Sequence, residues 1–353
     1  MGAVFAHHPY TTDYGLKIWL WCINYGYDAY VWYKPDQIER GADMEKNARY
    51  WKLLIGAAAG LTTVYMLTST YLWARQVHFI FRPERTIDRT PAEYQLTFED
   101  VYITVKDEKS QVERIHAWWI PTETPGDRIL LYFHGSALNI EANIAQACRY
   151  QQMGFSVLLV SYRGYGKSDG AFPTEAQVYS DAQAAWDYLV DQKNIDPGSI
   201  FIYGHSIGGA VAIELAVNQP DAGGLIVEAA FTSIPDLARR IPRYRIFPID
   251  LIVHQRFDSI RKVGRLRIPV LYIHGTDDEL VPHEMSRELY NRTSSSKQLK
   301  FIPGGGHNNS AAVGGEEYLQ AVSNFVELAR KAIWGFCQRQ LRFGLQSWLI
   351  VLR

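Results

Sequence analysis

Residues Ile202–Ala216 read IYGHSIGGAVAIELA. This stretch sets Ser206 between Gly204 and Gly208, after a short apolar run and before an alanine-rich one that suits a helix. A serine at the tip of a sharp strand-to-helix turn has its hydroxyl pushed clear of the sheet edge. Side chains two positions to either side would collide there, so glycine is needed. Gly204 and Gly208 occupy those positions, and Gly209 permits close helix–strand packing. A helix beginning near Ile207 aims free N–H groups and the positive end of its dipole at the same spot. A negative oxygen developing on a bound carbonyl would be held there. A hydroxyl becomes a useful nucleophile only with a base, and the base needs a group to orient it. For a serine on such a turn the chain order is serine, acid, histidine. Phe301–Ser310 (FIPGGGHNNS) supplies His307 in a glycine-rich loop, the only histidine after His283, so the order rule nearly forces the base. Val270–Pro282 (VLYIHGTDDELVP) supplies an acid just past a strand. Asp277, Asp278 and Glu279 all qualify there, beside the plainer readings of a solvated acidic loop or a cation site. Whichever acid serves accepts the Nδ1–H of His307, fixes its tautomer and stabilises the imidazolium.

The elements that must position these residues are those of an α/β domain. Asp100–Lys106 and Arg114–Ile120 alternate like an antiparallel opening pair. Continuous apolar runs follow at Ile129–Phe133, Ser156–Val160, Ile200–Tyr203, Gly224–Glu228 and Val270–His274. Strands buried on both faces read this way. Helical segments lie between them. Glu175–Gln192 carries Val178, Ala182, Ala185, Trp186 and Leu189 on one side at helical spacing. The alternation predicts a mostly parallel, doubly wound sheet with helices on both faces.

Four stretches together, Tyr132–Ile140 (YFHGSALNI), Ser161–Gly170 (SYRGYGKSDG), Gly204–Gly209 (GHSIGG) and the acid and histidine loops, resemble the α/β-hydrolase superfamily. Within it the chain is similar to membrane-anchored serine hydrolases of the α/β-hydrolase-domain type, over about residues 75–330. The resemblance implies Ser206 as nucleophile, His307 as base and, from the pattern GTxDxxVP, Asp278 as the acid. It also implies an oxyanion hole built from the N–H groups of Ser136 and Ile207. Relatives often carry HGN in the first loop where this chain has HGS. Residues 232–267 lie where such hydrolases place a cap, and Ile246, Phe247, Ile249, Leu251, Ile252 and Val253 are candidates to line an acyl entrance. No cofactor or metal is implied.

The 353 residues are 47% hydrophobic, which excludes a disordered chain, and the formal net charge of −1 argues against a nucleic-acid partner. Cys22, Cys148 and Cys337 are odd in number and widely spaced, so neither a disulfide framework nor a zinc site is indicated. No internal repeat is evident. Residues 1–50 are rich in tryptophan and tyrosine. Leu53–Ala74 is uncharged between Lys52 and Arg75, is long enough to cross a hydrocarbon core, and has aromatic residues at both ends. It lies too far along the chain for a cleaved signal peptide. The expectation is a single-pass transmembrane helix over 51–75, a hydrolase domain over 76–330 and a basic amphipathic helix over 331–353. Positive charge at both ends of the apolar stretch leaves its orientation open. Location then favours lipid-like acyl esters or thioesters as substrates. A serine peptidase of the same fold, or a catalytically silent binding protein at a membrane, are the alternatives.

Overall fold

The computed structural model describes residues 42–106, 111–122 and 128–351, with side chains over 46–331 of that range. The chain divides into two compact units, residues 1–63 and 64–353. The described part of the first is wholly helical, as the beginning of α1 (Ala42–Ile80). That helix is longer than the uncharged stretch implies and passes the length and composition test for crossing a membrane. Most of the aromatic-rich segment 1–50 lies outside the described residues. So do the side chains of the expected amphipathic helix, although the backbone is helical as far as Val351.

Among its described residues the second unit carries ten strands: β1 (Arg82–Pro83), β2 (Glu99–Lys106), β3 (Val112–Ile120), β4 (Ile129–Phe133), β5 (Ala137–Leu138), β6 (Ser156–Val160), β7 (Ile200–His205), β8 (Gly224–Glu228), β9 (Val270–Gly275) and β10 (Lys297–Ile302). Eight form one sheet in the order β10-β9-β8-β7-β4-β6-β3-β2. From β10 to β6 every pairing is parallel, whereas β3 and β2 join in antiparallel fashion. Every residue of β4, β6, β8 and β9 is buried, which is why these strands read as unbroken apolar runs. The edge strand β2 instead alternates, with Val101, Ile103 and Val105 turned inward.

Between the strands run α2 (Ile144–Gln152), α3 (Glu175–Asp187), α4 (Ile207–Asn218), α5 (Ile234–Arg240), α6 (Ile249–Ile252), α7 (Ser259–Lys262), α8 (Glu284–Arg292) and α9 (Ser310–Val351), the last kinked at Gly315. Each sheet face has its own core. Val178, Ala182 and Trp186 of α3 and Val211 and Leu215 of α4 pack on one. Ile144 and Ala147 of α2 and Tyr318, Val322 and Phe325 of α9 pack on the other. A reciprocal cap starts α3: Thr174 accepts the Gln177 N–H while the Gln177 side chain accepts the Thr174 N–H. The predicted fold class is the one observed.

The chain runs from β4 outward to β6 and then returns to β7 on the other side of β4. This reversal of strand order opens a crevice beyond the carboxyl ends of β4 and β7, the place where open α/β sheets bind ligands.

Candidate active site

Ser206 follows β7 directly and precedes α4, at φ 57° and ψ −120°. A side chain in that region is strained by about 1–3 kcal/mol, and its surroundings hold it there. The Ser206 N–H donates to the Glu228 carbonyl of β8 (2.9 Å), and the Gly209 N–H donates back to the Ser206 carbonyl (2.9 Å). A Cβ on Gly204 would overlap the carbonyl of Gly208, and one on Gly208 would overlap the carbonyl of Phe133 in β4. Gly209 passes so close to α5's approach that a Cβ would lie 2.7 Å from that of Ala230. These three glycines therefore set both the turn and its contact with the neighbouring strand.

His307 reaches Ser206 from the loop after β10. Its Nε2 lies 3.0 Å from Ser206 Oγ and its Nδ1 lies 2.7 Å from Asp278 Oδ2. The loop after β9 carries the three adjacent acids; Asp277 and Glu279 are exposed, while Asp278 is buried and points at the histidine. The two loops are zipped together. Thr276 N–H donates to the Ile302 carbonyl (3.0 Å) and Asp277 N–H to the Gly305 carbonyl (2.8 Å). Gly304 N–H donates to Thr276 Oγ1 (2.9 Å).

Two residues that spacing alone does not single out also reach this centre. His274, at the end of β9, is fully buried. Its Nε2 faces two acceptors, Val281 O at 2.8 Å and Asp278 Oδ2 at 3.1 Å, so it carries the hydrogen, and Nδ1 accepts from Ser286 Oγ at 2.6 Å. His205 places Nε2 2.7 Å from the carbonyl of His307 and so donates to the backbone of the histidine loop. Their sequence signals are slight: one histidine beside the serine, another four residues before the acid. Burial pushes the Asp278 carboxyl up, but hydrogen bonds from His274 and His307, the charge of His307 and the Val281 N–H outweigh it. The group is held well below the usual carboxylate range. Burial, reinforced by His307, pushes the His205 imidazole down.

The loop after β4 closes on the turn from the other side. A Cβ on Gly135 would stand 3.3 Å from His205 Nδ1 and 3.6 Å from Ser206 Cβ. Ser136 comes next in this loop, and Ile207 is the first residue of α4, so the two approach the Ser206 turn from opposite sides. The Ser136 carbonyl accepts from Arg82 N–H (2.8 Å) and from Tyr165 Oη (2.7 Å). Tyr162 Oη donates to the carbonyl of His134 (3.1 Å). This explains the stretch Ser161–Gly170: its tyrosines brace the β4 loop. Arg163 anchors that stretch through the fully buried Asp181, with Nη2–Oδ1 2.6 Å and Nε–Oδ1 2.9 Å. The pairing of β1 with β5 adds a backbone strap to the same loop. Two-residue strands carry no periodicity that a sequence could show.

The set can deprotonate a hydroxyl: a serine, a histidine within hydrogen-bond reach of it, and a buried carboxylate on the far nitrogen. Among the described residues no cluster of His, Cys, Asp and Glu has the geometry of a metal site.

The family described as serine aminopeptidase, S33, matches residues 124–247 and 253–309. The chain is 36% identical to protein bem46 of Schizosaccharomyces pombe, over 67% of this chain and 79% of that protein. It is 33% identical to the alpha/beta hydrolase domain-containing protein WAV2 of Arabidopsis thaliana, over 67% and 81%. Among solved structures, the Pyrococcus furiosus esterase Pf2001 superposes with a TM-score of 0.58 at 22% identity, covering 70% of this chain and 97% of the esterase. An alpha-beta hydrolase from Vibrio vulnificus gives 0.51 at 25% identity, over 64% and 81%. Matched through both the strand–serine–helix turn and the loops that meet it, the chain belongs to the α/β-hydrolase superfamily and is a hydrolase by family.

Proposed function

We propose that this hydrolase works through Ser206, His307 and Asp278 on carboxylic esters or thioesters of lipid-like acyl groups. One observation carries the reading: Nε2 and Nδ1 of a single imidazole lie 3.0 Å from a strained serine hydroxyl and 2.7 Å from a buried carboxylate. In the first half-reaction Ser206 Oγ attacks the acyl carbonyl carbon as His307 Nε2 takes its proton. Asp278 keeps the Nδ1–H oriented and offsets the imidazolium charge. The carbonyl oxygen becomes an oxyanion facing the N–H groups of Ser136 and Ile207. The bond to the alcohol or thiol then breaks, and the leaving group takes the proton from His307. In the second half-reaction His307 deprotonates water, which attacks the acyl-serine, and His307 passes that proton to the departing Ser206 Oγ, freeing the acid and restoring the serine hydroxyl.

The preference for lipid-like substrates comes from α1, which we read as a single-pass membrane anchor. Its uncharged run from Leu53 to Ala74 suits a hydrocarbon core of about 30 Å. A second reading, hydrolysis of peptides, is favoured by the aminopeptidase description of the matching family. Fluorophosphonate labelling of the detergent-solubilised chain and of Ser206→Ala tests the mechanism. The expected outcome is labelling of the wild type and complete loss in the variant. Equal labelling of both would remove Ser206 from the reaction. Turnover of acyl esters and thioesters beside aminoacyl amides then separates the two substrate classes.

A further inference from the structure

Segment 232–267 concentrates positive charge. It holds nine Lys and Arg against three Asp, a net +6 in a chain whose total is −1. Several of these cations are matched: Arg239 with Asp236 and Asp250, Arg240 with Glu288, Lys262 with Glu214. Arg243 and Arg245 differ. Among the described residues neither has a carboxylate within ion-pair distance. Arg245 Nε donates to the carbonyl of Arg239 (2.9 Å), and Arg243 lies over the ring of Tyr244.

In the same stretch two aliphatic side chains are exposed, Ile246 at 69% and Leu251 at 81%. Leu251 shares the lining of an open depression of about 530 Å³ with Arg239, Arg245 and Phe247. The predicted acyl-entrance residues are thus divided: Ile249 and Ile252 face the core, while Ile246 and Leu251 face outward. Exposed apolar side chains in the same stretch as arginines without a carboxylate partner among the described residues suit a surface that offers hydrocarbon under a layer of phosphate.

The same segment is fastened to α1. Tyr65 Oη donates to the Ile246 carbonyl (3.0 Å) and its ring stacks on Phe247. Further along α1, the side chain of Gln76 is buried. It donates to the Ile252 carbonyl (3.1 Å) and accepts from the N–H groups of His254 (3.0 Å) and Gln255 (2.8 Å). Tyr65 lies inside the uncharged run, about 15 Å along the helix from Arg75. A headgroup layer is about 7 Å thick and helices tilt by about 20°. With Arg75 at the outer edge of the headgroups, Tyr65 and the Ile246 carbonyl bonded to it lie about 7 Å inside the headgroup–acyl boundary, within the depth of about 5–10 Å that an interfacial apolar face reaches. Met66, Leu67, Tyr71 and Trp73 of α1 are themselves exposed and apolar.

Resting on the membrane-anchor reading of α1, we infer that the outward face formed by Arg243, Arg245, Ile246 and Leu251 is a bilayer-docking surface. Ile246 and Leu251 enter the acyl boundary, and the two arginines meet the phosphates of anionic lipids. Within the second unit, Tyr65 and Gln76 tie the later part of α1 to this segment.

The test uses the full chain with Cys22, Cys148 and Cys337 changed to serine and one new cysteine, Ile246→Cys or Leu251→Cys, carrying a nitrobenzoxadiazole fluorophore. Val112→Cys, 67% exposed on β3, is the control. Near-ultraviolet circular dichroism establishes that each labelled chain is folded, and two test positions guard against the loss of one. The proteins are reconstituted into vesicles of phosphatidylcholine and phosphatidylserine and separated by flotation. The expected result is quenching at 246 and 251 by brominated lipid and shielding from aqueous iodide, with the reverse at 112. Flotation with iodide access at 246 and 251 overturns the docking surface and leaves the anchor standing. Shielding from iodide without quenching by brominated lipid also overturns it, in favour of a second copy or another protein as the occupant. Failure to float overturns both the anchor and the surface.

Discussion

Asp278 uses both of its carboxylate oxygens. Oδ1 accepts from the N–H groups of Leu280 (2.9 Å) and Val281 (2.8 Å), and Oδ2 accepts from His307 Nδ1 and His274 Nε2. Four donors around one buried carboxylate explain a value depressed in spite of burial. The sign follows from linkage. The depressed folded value favours the folded chain above the unfolded carboxylate range, near pH 4, and that contribution fades as the pH falls below it. It also keeps Asp278 ionised throughout the range in which a histidine base works. His274 supplies one of the four donors while its other nitrogen is held by Ser286. His274→Phe removes a hydrogen bond to a charged group, worth about 1.5–3 kcal/mol. The expected result is a fall in kcat on a short acyl ester of about ten- to a hundredfold, with KM little changed. In an Asp278→Asn background the same substitution should do far less, because the partner it orients is already neutral. Additive losses in that double-mutant cycle would reduce His274 to packing. At this scale the sequence carries the serine and the histidine through glycine spacing and chain order. The choice among Asp277, Asp278 and Glu279 is not in the spacing, since all three follow the same strand and only burial separates them.

The loops that carry Asp278 and His307 meet because Gly275 ends β9. A Cβ on Gly275 would overlap the carbonyl of Gly305 and come within 2.9 Å of Ser310 Oγ. Gly275→Ala therefore has to part the acid loop from the histidine loop, at an overpacking cost of about 1–3 kcal/mol. The expected outcome is a lower melting temperature together with a loss of activity larger than stability alone explains. Gly264→Ala, whose added carbon would stand 3.6 Å from the Arg292 carbonyl, should change neither by much; melting curves and initial rates check both. The strands were legible because burial on both sheet faces leaves continuous apolar runs, and α3 because its buried side repeats at helical spacing. The β1–β5 strap was not, because it rests on backbone hydrogen bonds between two-residue strands. Nor were α5, α6 and α7. They are four to seven residues long, too short to show a period, and their positions depend on contacts with α1 and α3.

Across the whole molecule the hydrolase core is organised around the switch point between β4 and β7, where His134 follows β4 and His205 ends β7, the first buried and the second half-buried. The parallel sheet and the helices covering it were predictable from pattern, but the neutrality of these two rings is a product of assembly. His134 is fully buried, its Nδ1 donates to the Gly135 carbonyl (2.7 Å), and its Nε2 has no hydrogen-bond partner among the described residues. Burial pushes its value down to about 4. His205 is pushed down by burial and by the neighbouring His307. In the unfolded chain both return to about 6.5. Between the folded and unfolded values the unfolded chain binds more protons than the folded one, so stability rises with pH and falls on acidification. Each such histidine contributes a slope of about 1.4 kcal/mol per pH unit inside its window, and His134 spans enough of it to remove about 3 kcal/mol by pH 4. The detergent-solubilised chain should therefore melt at progressively lower temperature from pH 7 down to pH 5. His134→Gln should melt lower than wild type at pH 7, yet show a shallower dependence on pH, because glutamine cannot take up the proton. The slope is the informative quantity, since a damaged core shifts the whole curve without flattening it. An unchanged slope in His134→Gln would place the acid sensitivity elsewhere, with His205→Gln as the next variant to measure.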